Sequence, residues 1–150
     1  MENMYLAIEG CAVNAEEAIR LCGKALQDAD CVEDDFVQGC IQREKEYPTG
    51  ICSEIPVAIP HCQSDRIHRN AVCYLRLEKP VEFYRMDDDE ETISTRHILN
   101  LAIGGGDHLK FLQELMGILQ DEKLLEQLAE LPIEQVPRFL GQKIKQEDAV

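Results

Sequence analysis

Apolar positions along this chain switch between the two periods that separate strands from helices. MYLAI at 4–8 is a short strand candidate. After it Ile19, Cys22 and Leu26 recur at helical spacing, and Asn14 with Glu17 three residues on makes a capping-box pattern, predicting a helix to about Asp28. A second helix is predicted after Asp34, with Phe36, Val37, Cys40 and Ile41 on one face. Tyr47-Pro48-Thr49-Gly50 ends it, which puts Arg43 in its last turn or two.

The middle of the chain reads as strands. Residues 55–59 are apolar but interrupted by Pro56, as in a short or edge strand, and lead into a turn at Pro60-His61. Ile59 precedes a proline and is biased to an extended backbone. AVCYLRL at 71–77 and VEFYRM at 81–86 flank Glu78-Lys79-Pro80, the pattern of an antiparallel hairpin with a short connection. DDDEE at 87–91 reads as a solvated loop, and RHILNLAI at 96–103 as a buried central strand, although its length leaves helix open.

Helical spacing returns with Leu109, Leu112, Leu115, Met116 and Leu119, for which Asp107 is the expected cap. Two further helices are predicted over 121–129 and 133–140, parted by Leu131-Pro132, and the tail from 141 is polar and expected to fray. Helices at both ends around central strands predict an α/β fold, a mixed β-sheet flanked by helices on both sides. The chain of 150 residues fits one domain spanning 1–150, with a core over about 5–140.

Charge narrows the partners. A net charge of −14 and a pI near 4.6 argue against general affinity for nucleic acid or anionic membrane and favour solubility or a basic partner. Seven cysteines without a C-x-x-C pair read as reduced, mostly buried thiols, and their near-regular spacing of about ten residues has no recurring flanks, so no repeat is proposed. The N-terminal MENMYLAIEG lacks the pattern of a secretion signal, and no apolar run approaches the roughly 20 residues that span a bilayer, so a cytoplasmic protein without direct membrane insertion is expected.

Four histidines are the candidates for chemistry, since neutral imidazole is a useful nucleophile near neutral pH. In AIPHCQSDR, His61 alone follows a rigid proline in a turn at a strand end, although one such histidine can be purely structural. Arg43 precedes the Pro-Thr-Gly turn, where its guanidinium can offer a planar fork to phosphate oxygens, with Thr49 adding a hydroxyl and Gly50 a close backbone approach. The alternative is that Arg43 pairs with Glu44 or Glu46 on the surface. His108 follows GGGD at a helix start, a place that favours anions, or else is a surface histidine after a flexible turn.

His68 is expected to be exposed and His97 to lie on a strand surface, neither catalytic. His61, Cys62 and His68 are close enough in sequence to suggest zinc, but the paired spacings of a structural site are missing, so no metal is expected. Cys62 is read as a wall residue and not as a nucleophile beside its base.

REKEYPTGI, VAIPHC, VEFYRMDDD and DHLKFLQELMGIL, in this order, resemble the EIIA domain of the fructose/mannitol type of the bacterial sugar phosphotransferase system. The resemblance runs over about residues 5–140, and the cysteine after the histidine is most similar to the galactitol branch. It implies a mixed sheet flanked by helices and a phosphotransferase with a phosphohistidine intermediate, requiring no cofactor. His61 would take a phosphoryl group from the carrier protein HPr and pass it to a cysteine of EIIB, which phosphorylates sugar entering through EIIC. It also implies that Arg43 contacts the phosphoryl group, that His108 is a second active-site histidine, and that the ring nitrogen remote from the backbone is the acceptor. Ile59 and Ile51 would form an apolar docking rim, unless they are ordinary core residues, which Leu109 is expected to be. The alternative from the nitrogen-type branch is a regulatory phosphoacceptor that acts by binding other proteins.

Overall fold

The computed structural model describes residues 3–62, 67–104 and 108–144, with the backbone alone at 108 and 109. Among these residues the order is β1 (Met4–Gly10), α1 (Ala15–Asp28), α2 (Phe36–Glu46), β2 (Gly50–Ile51), β3 (Val57–Ala58), β4 (His61–Cys62), β5 (Ala71–Tyr84), β6 (Thr92–Ala102), α3 (His108–Leu119), α4 (Glu122–Glu130) and α5 (Val136–Ile144). The strands form one mixed sheet in the order β1-β5-β6-β3-β2, with β4 also paired to β6. β1 runs parallel to β5, β5 antiparallel to β6, and both β3 and β4 parallel to β6.

Side chains of the central strands alternate between two cores. Cys73, Leu75, Ile98 and Ala102 face α1 and α2, whereas Val72, Tyr74, Leu99 and Leu101 face α3, α4 and α5. A strand covered on both faces has no polar side to show, which is why AVCYLRL and HILNLAI read as near-continuous apolar runs. Asn14 caps α1 by accepting the Glu17 N–H at 2.9 Å, and Ile19, Cys22 and Leu26 are buried as their spacing predicts. The expected mixed sheet with helices on both sides is therefore the fold observed.

Two local expectations fail. Residues 71–84 are not a hairpin but the single long strand β5. Its pairing with β6 moves from Arg76↔His97 to Val81↔Thr95, so Glu78, Lys79 and Pro80 form an exposed bulge in which proline's missing N–H costs no ladder bond. The reversal comes instead at the acidic run, between Tyr84 and Thr92, where Arg85 is clasped by Asp87 at 2.7 and 2.8 Å. Of the two expectations for 55–59, the short strand holds: β3 is only Val57–Ala58, and it lies inside the sheet between β2 and β6. The tail from 141 is ordered in α5 as far as Ile144, which is buried; residues 145–150 lie outside those described, as does the expected cap Asp107.

The expected reduced thiols are all free, with Cys11 and Cys52 exposed and the other five buried. His97 sits on β6 with its ring stacked on Tyr74 and its Nδ1 2.7 Å from the Tyr74 hydroxyl. Arg76 Nε donates to that hydroxyl at 3.4 Å.

Burial, with Arg96 and Arg76 nearby, pushes the His97 pKa down to about 4. The unfolded chain therefore binds this proton near pH 6.5 and the native protein only near 4, so stability is complete above 6.5 and falls as pH drops towards 4. Comparing denaturation of wild type and His97→Gln across that range should show the wild-type curve losing about 2–3 kcal/mol relative to the variant. Parallel curves would mean that His97 titrates normally.

Candidate functional site

Three backbone features set the position of His61. Pro60 has no N–H for the ladder, so its residue interrupts the line from β3 to β4, and both short strands lie parallel to β6. The Pro60 carbonyl accepts from the Leu101 N–H at 3.0 Å and from Asn100 Nδ2 at 2.9 Å. The preceding Ile59 N–H leaves the sheet and donates to Thr49 Oγ1 at 3.1 Å. Instead of the expected turn there is a break between β3 and β4, fixed on both sides of the proline, and His61 itself opens β4.

The imidazole is half-buried, with Nδ1 2.8 Å from the Ile59 carbonyl. A carbonyl can only accept, so Nδ1 carries the proton and Nε2 keeps its lone pair. Burial lowers the pKa of His61 and the Arg43 charge lowers it further, while the bond to Ile59 works in the opposite direction. Neutral imidazole, the nucleophilic form, is therefore favoured at neutral pH.

Arg43 lies one turn beyond Cys40 on α2, with its guanidinium carbon 4.9 Å from the centre of the Tyr47 ring. Its surface-pair alternative does not form as expected, since both Glu44 oxygens accept from Thr49 and Glu46 accepts from Gln42. Among the described residues, Arg43 Nε is a buried nitrogen without a hydrogen-bond partner. A buried guanidinium donor left unpaired costs free energy that an incoming anion can recover.

Cys62 points away from the imidazole, into the layer under α2, where its Sγ lies 3.7 Å from the Phe36 carbonyl and hydrogen-bonds with Cys40. This matches its expected role as a wall residue. His68 is exposed beside Asp30 and Glu33, and among the described residues no cluster of histidine, cysteine and carboxylate side chains gathers that could hold a metal.

A family model described as phosphoenolpyruvate-dependent sugar phosphotransferase system, EIIA 2, matches residues 6–140. The chain belongs to this family. The galactitol-specific EIIA component of Escherichia coli K12 is 30% identical over 149 residues, covering 99% of each chain. The mannitol-specific EIICBA component of the same strain is 31% identical over 131 residues, 85% of this chain and 19% of that protein. Among solved structures, the complex of mannitol enzyme IIA with phosphorylated enzyme IIB from Escherichia coli superposes with a TM-score of 0.73 at 27% identity, covering 91% of this chain and 92% of that one.

Two of the residues expected to hold phosphate in this EIIA chain are committed elsewhere. Thr49 is buried, gives its hydroxyl proton to Glu44 Oε1 at 2.8 Å and receives the Ile59 N–H, so it has no donor left for an anion. Gly50 does allow a close approach, but to the protein itself: a Cβ there would lie 2.6 Å from the Tyr84 carbonyl oxygen. Ile59 belongs to the core at 2% exposure and not to a rim, Ile51 is half-buried, and the Leu109 side chain is outside the described residues. His108 opens α3, and its side chain is likewise not described.

Sequence reasoning missed Glu44, Asn100 and the Ile59 carbonyl. Asn100 had a visible signal, since an amide in the middle of HILNLAI has to find a partner if that run is buried. It is fully buried and gives one hydrogen bond to Pro60 and a longer one to Cys40 Sγ at 3.5 Å. No helix of the described residues is long and apolar enough to cross a membrane.

Proposed function

We propose that this EIIA chain accepts a phosphoryl group on His61 Nε2 from phospho-HPr and donates it to a cysteine of a cognate EIIB during carbohydrate uptake. The observation that carries the proposal is the His61 ring itself: Nδ1 is held by the Ile59 carbonyl, and Nε2, which has no hydrogen-bond partner among the described residues, is left as the nucleophile. In the first transfer one P–N bond breaks on the donor imidazole as another forms at Nε2, and the phosphoryl group moves without a proton being needed on either reacting nitrogen. The reverse relation holds at the next step, where P–Nε2 breaks as a bond to the EIIB thiolate sulfur forms. Both steps are displacements in line, which depend on alignment and charge neutralisation and not on a metal of this chain.

In this reading Arg43 supplies that charge, and His108, the residue that opens α3, is the second histidine of the site. Thr49 and Gly50 act behind it, through the Ile59 peptide and the packing of β2 on β5. Galactitol or a related sugar is the carbohydrate, a reading supported by the galactitol-specific relative that matches the whole chain. EIIC then takes part through EIIB, and the acidic chain works in the cytoplasm, where its charge assists encounter with a basic carrier.

The test follows label from phosphoenolpyruvate through enzyme I and HPr to this chain, with candidate EIIB proteins added in turn. Acid-labile label should appear on the chain and be chased to one EIIB, whose transporter names the sugar. Stable label that no EIIB removes would favour the regulatory, nitrogen-type alternative.

A further inference from the structure

We propose that Glu44 is a positioning residue for His61, acting through Thr49 and the Ile59 peptide to set which ring nitrogen is free. The proposal rests on the reading of His61 as phosphoryl acceptor. Four hydrogen bonds make the connection. Glu44 Oε2 accepts the Thr49 N–H at 2.8 Å, and Oε1 accepts the Thr49 hydroxyl at 2.8 Å. With its proton sent to Glu44, Thr49 Oγ1 presents a lone pair and accepts the Ile59 N–H at 3.1 Å. The Ile59 carbonyl in turn accepts His61 Nδ1–H at 2.8 Å.

Direction makes this more than a list of contacts. A carboxylate can only accept, so Thr49 has no choice but to donate to it, and its oxygen must then serve as acceptor for Ile59. Ile59 is followed by Pro60, so the neighbouring residue cannot supply an N–H to the same anchor, and the Ile59 N–H has no ladder bond in the short gap between β3 and β4. Without Thr49 that N–H would be a buried donor without a partner. The Ile59 residue would relax, and with it the carbonyl that keeps the proton on Nδ1.

The ionised form of Glu44 is the one this arrangement uses. Burial raises its pKa, and the two Thr49 donors counter that by favouring the carboxylate. Glu44 also neighbours Arg43 in sequence, so one turn of α2 holds both the group that meets the anion and the group that orients the nucleophile. Shared placement on one helix keeps the two in register when the site is loaded.

The test reads the ring directly. Long-range proton–nitrogen NMR of His61 in the unphosphorylated protein, at alkaline pH where imidazole is neutral, should show the proton on Nδ1 in wild type. Glu44→Gln has one acceptor oxygen where two are needed, so a substantial population with the proton on Nε2 should appear and phosphoryl acceptance should slow about tenfold. Thr49→Val should act in the same direction, and Thr49→Ser, which keeps the hydroxyl, should restore both the wild-type ring spectrum and the rate.

A wild-type ring spectrum in folded Glu44→Gln overturns the proposal even if the rate falls, because the loss would then be one of general structure. A shifted tautomer with an unchanged rate overturns it as well. Should Glu44→Gln not fold, the Thr49→Val and Thr49→Ser pair decides by the same two readings. Label on His61→Ala equal to wild type would instead remove the acceptor reading, while the ring spectra, which need no transfer, still decide whether Glu44 controls the imidazole.

Discussion

Replacing His61 by Ala is expected to abolish acid-labile phosphorylation of the chain, with acceptance falling at least about a thousandfold. The argument is that no other described histidine combines a free nitrogen with a fixed direction. His97 has Nδ1 engaged by Tyr74 and is stacked within the fold, and exposed His68 lies between two carboxylates that repel an incoming phosphoryl group. Nearby cysteines do not replace it either, since Cys62 is packed beneath α2. The pH dependence of acceptance carries the same signature. Because burial and Arg43 lower the His61 pKa, the neutral nucleophile persists below pH 6.5, and the acidic limb of the rate should lie on the acid side of that value. A single-turnover assay with phospho-HPr over a pH series measures both. Undiminished labelling of His61→Ala would move the acceptor, with His108 the first position to replace next.

The layering of this fold was readable because burial on both sheet faces leaves a continuous apolar run, and the helices carry separate stripes. What failed was the distinction between a turn and a bulge. Glu78-Lys79-Pro80 has the composition of a hairpin connection, and only the register of β6 reveals that the chain goes straight on. Local sequence does not contain that register, because it is set by Val81, Phe83 and Ile93 finding the same core.

The site was readable to a different depth. His61 and Arg43 stand out as unusual residues in their settings, but the hydrogen bonds that orient His61 come from residues distant in sequence or from the backbone. Thr49 illustrates the difference: its type suggested an anion contact, and its surroundings turn the hydroxyl inward to Glu44 and Ile59. Asn100 reaches Pro60 from forty positions away, a contact that depends wholly on β4 lying against β6.

Arg43→Ala should slow phosphoryl acceptance by about a hundredfold or more while leaving the fold intact, and Arg43→Lys should recover only part of it. The guanidinium is partly buried near His61, its Nε has no hydrogen-bond partner among the described residues, and its carbon sits 4.9 Å from the centre of the Tyr47 ring. Those three facts describe a donor whose orientation is settled before the anion arrives, so little reorganisation is left for the moment of transfer. Lysine restores the charge but neither the fork nor the stacking. Removing the cation also relieves one of the causes that lower the His61 pKa, so in Arg43→Ala that pKa should move up, bringing the acidic limb of the rate towards higher pH. The two effects separate the roles. A slower rate at every pH with a shifted limb identifies Arg43 as the electrostatic partner of both imidazole and phosphoryl group. A shifted limb with a wild-type plateau would confine its action to the histidine and leave the transferred group to be neutralised elsewhere.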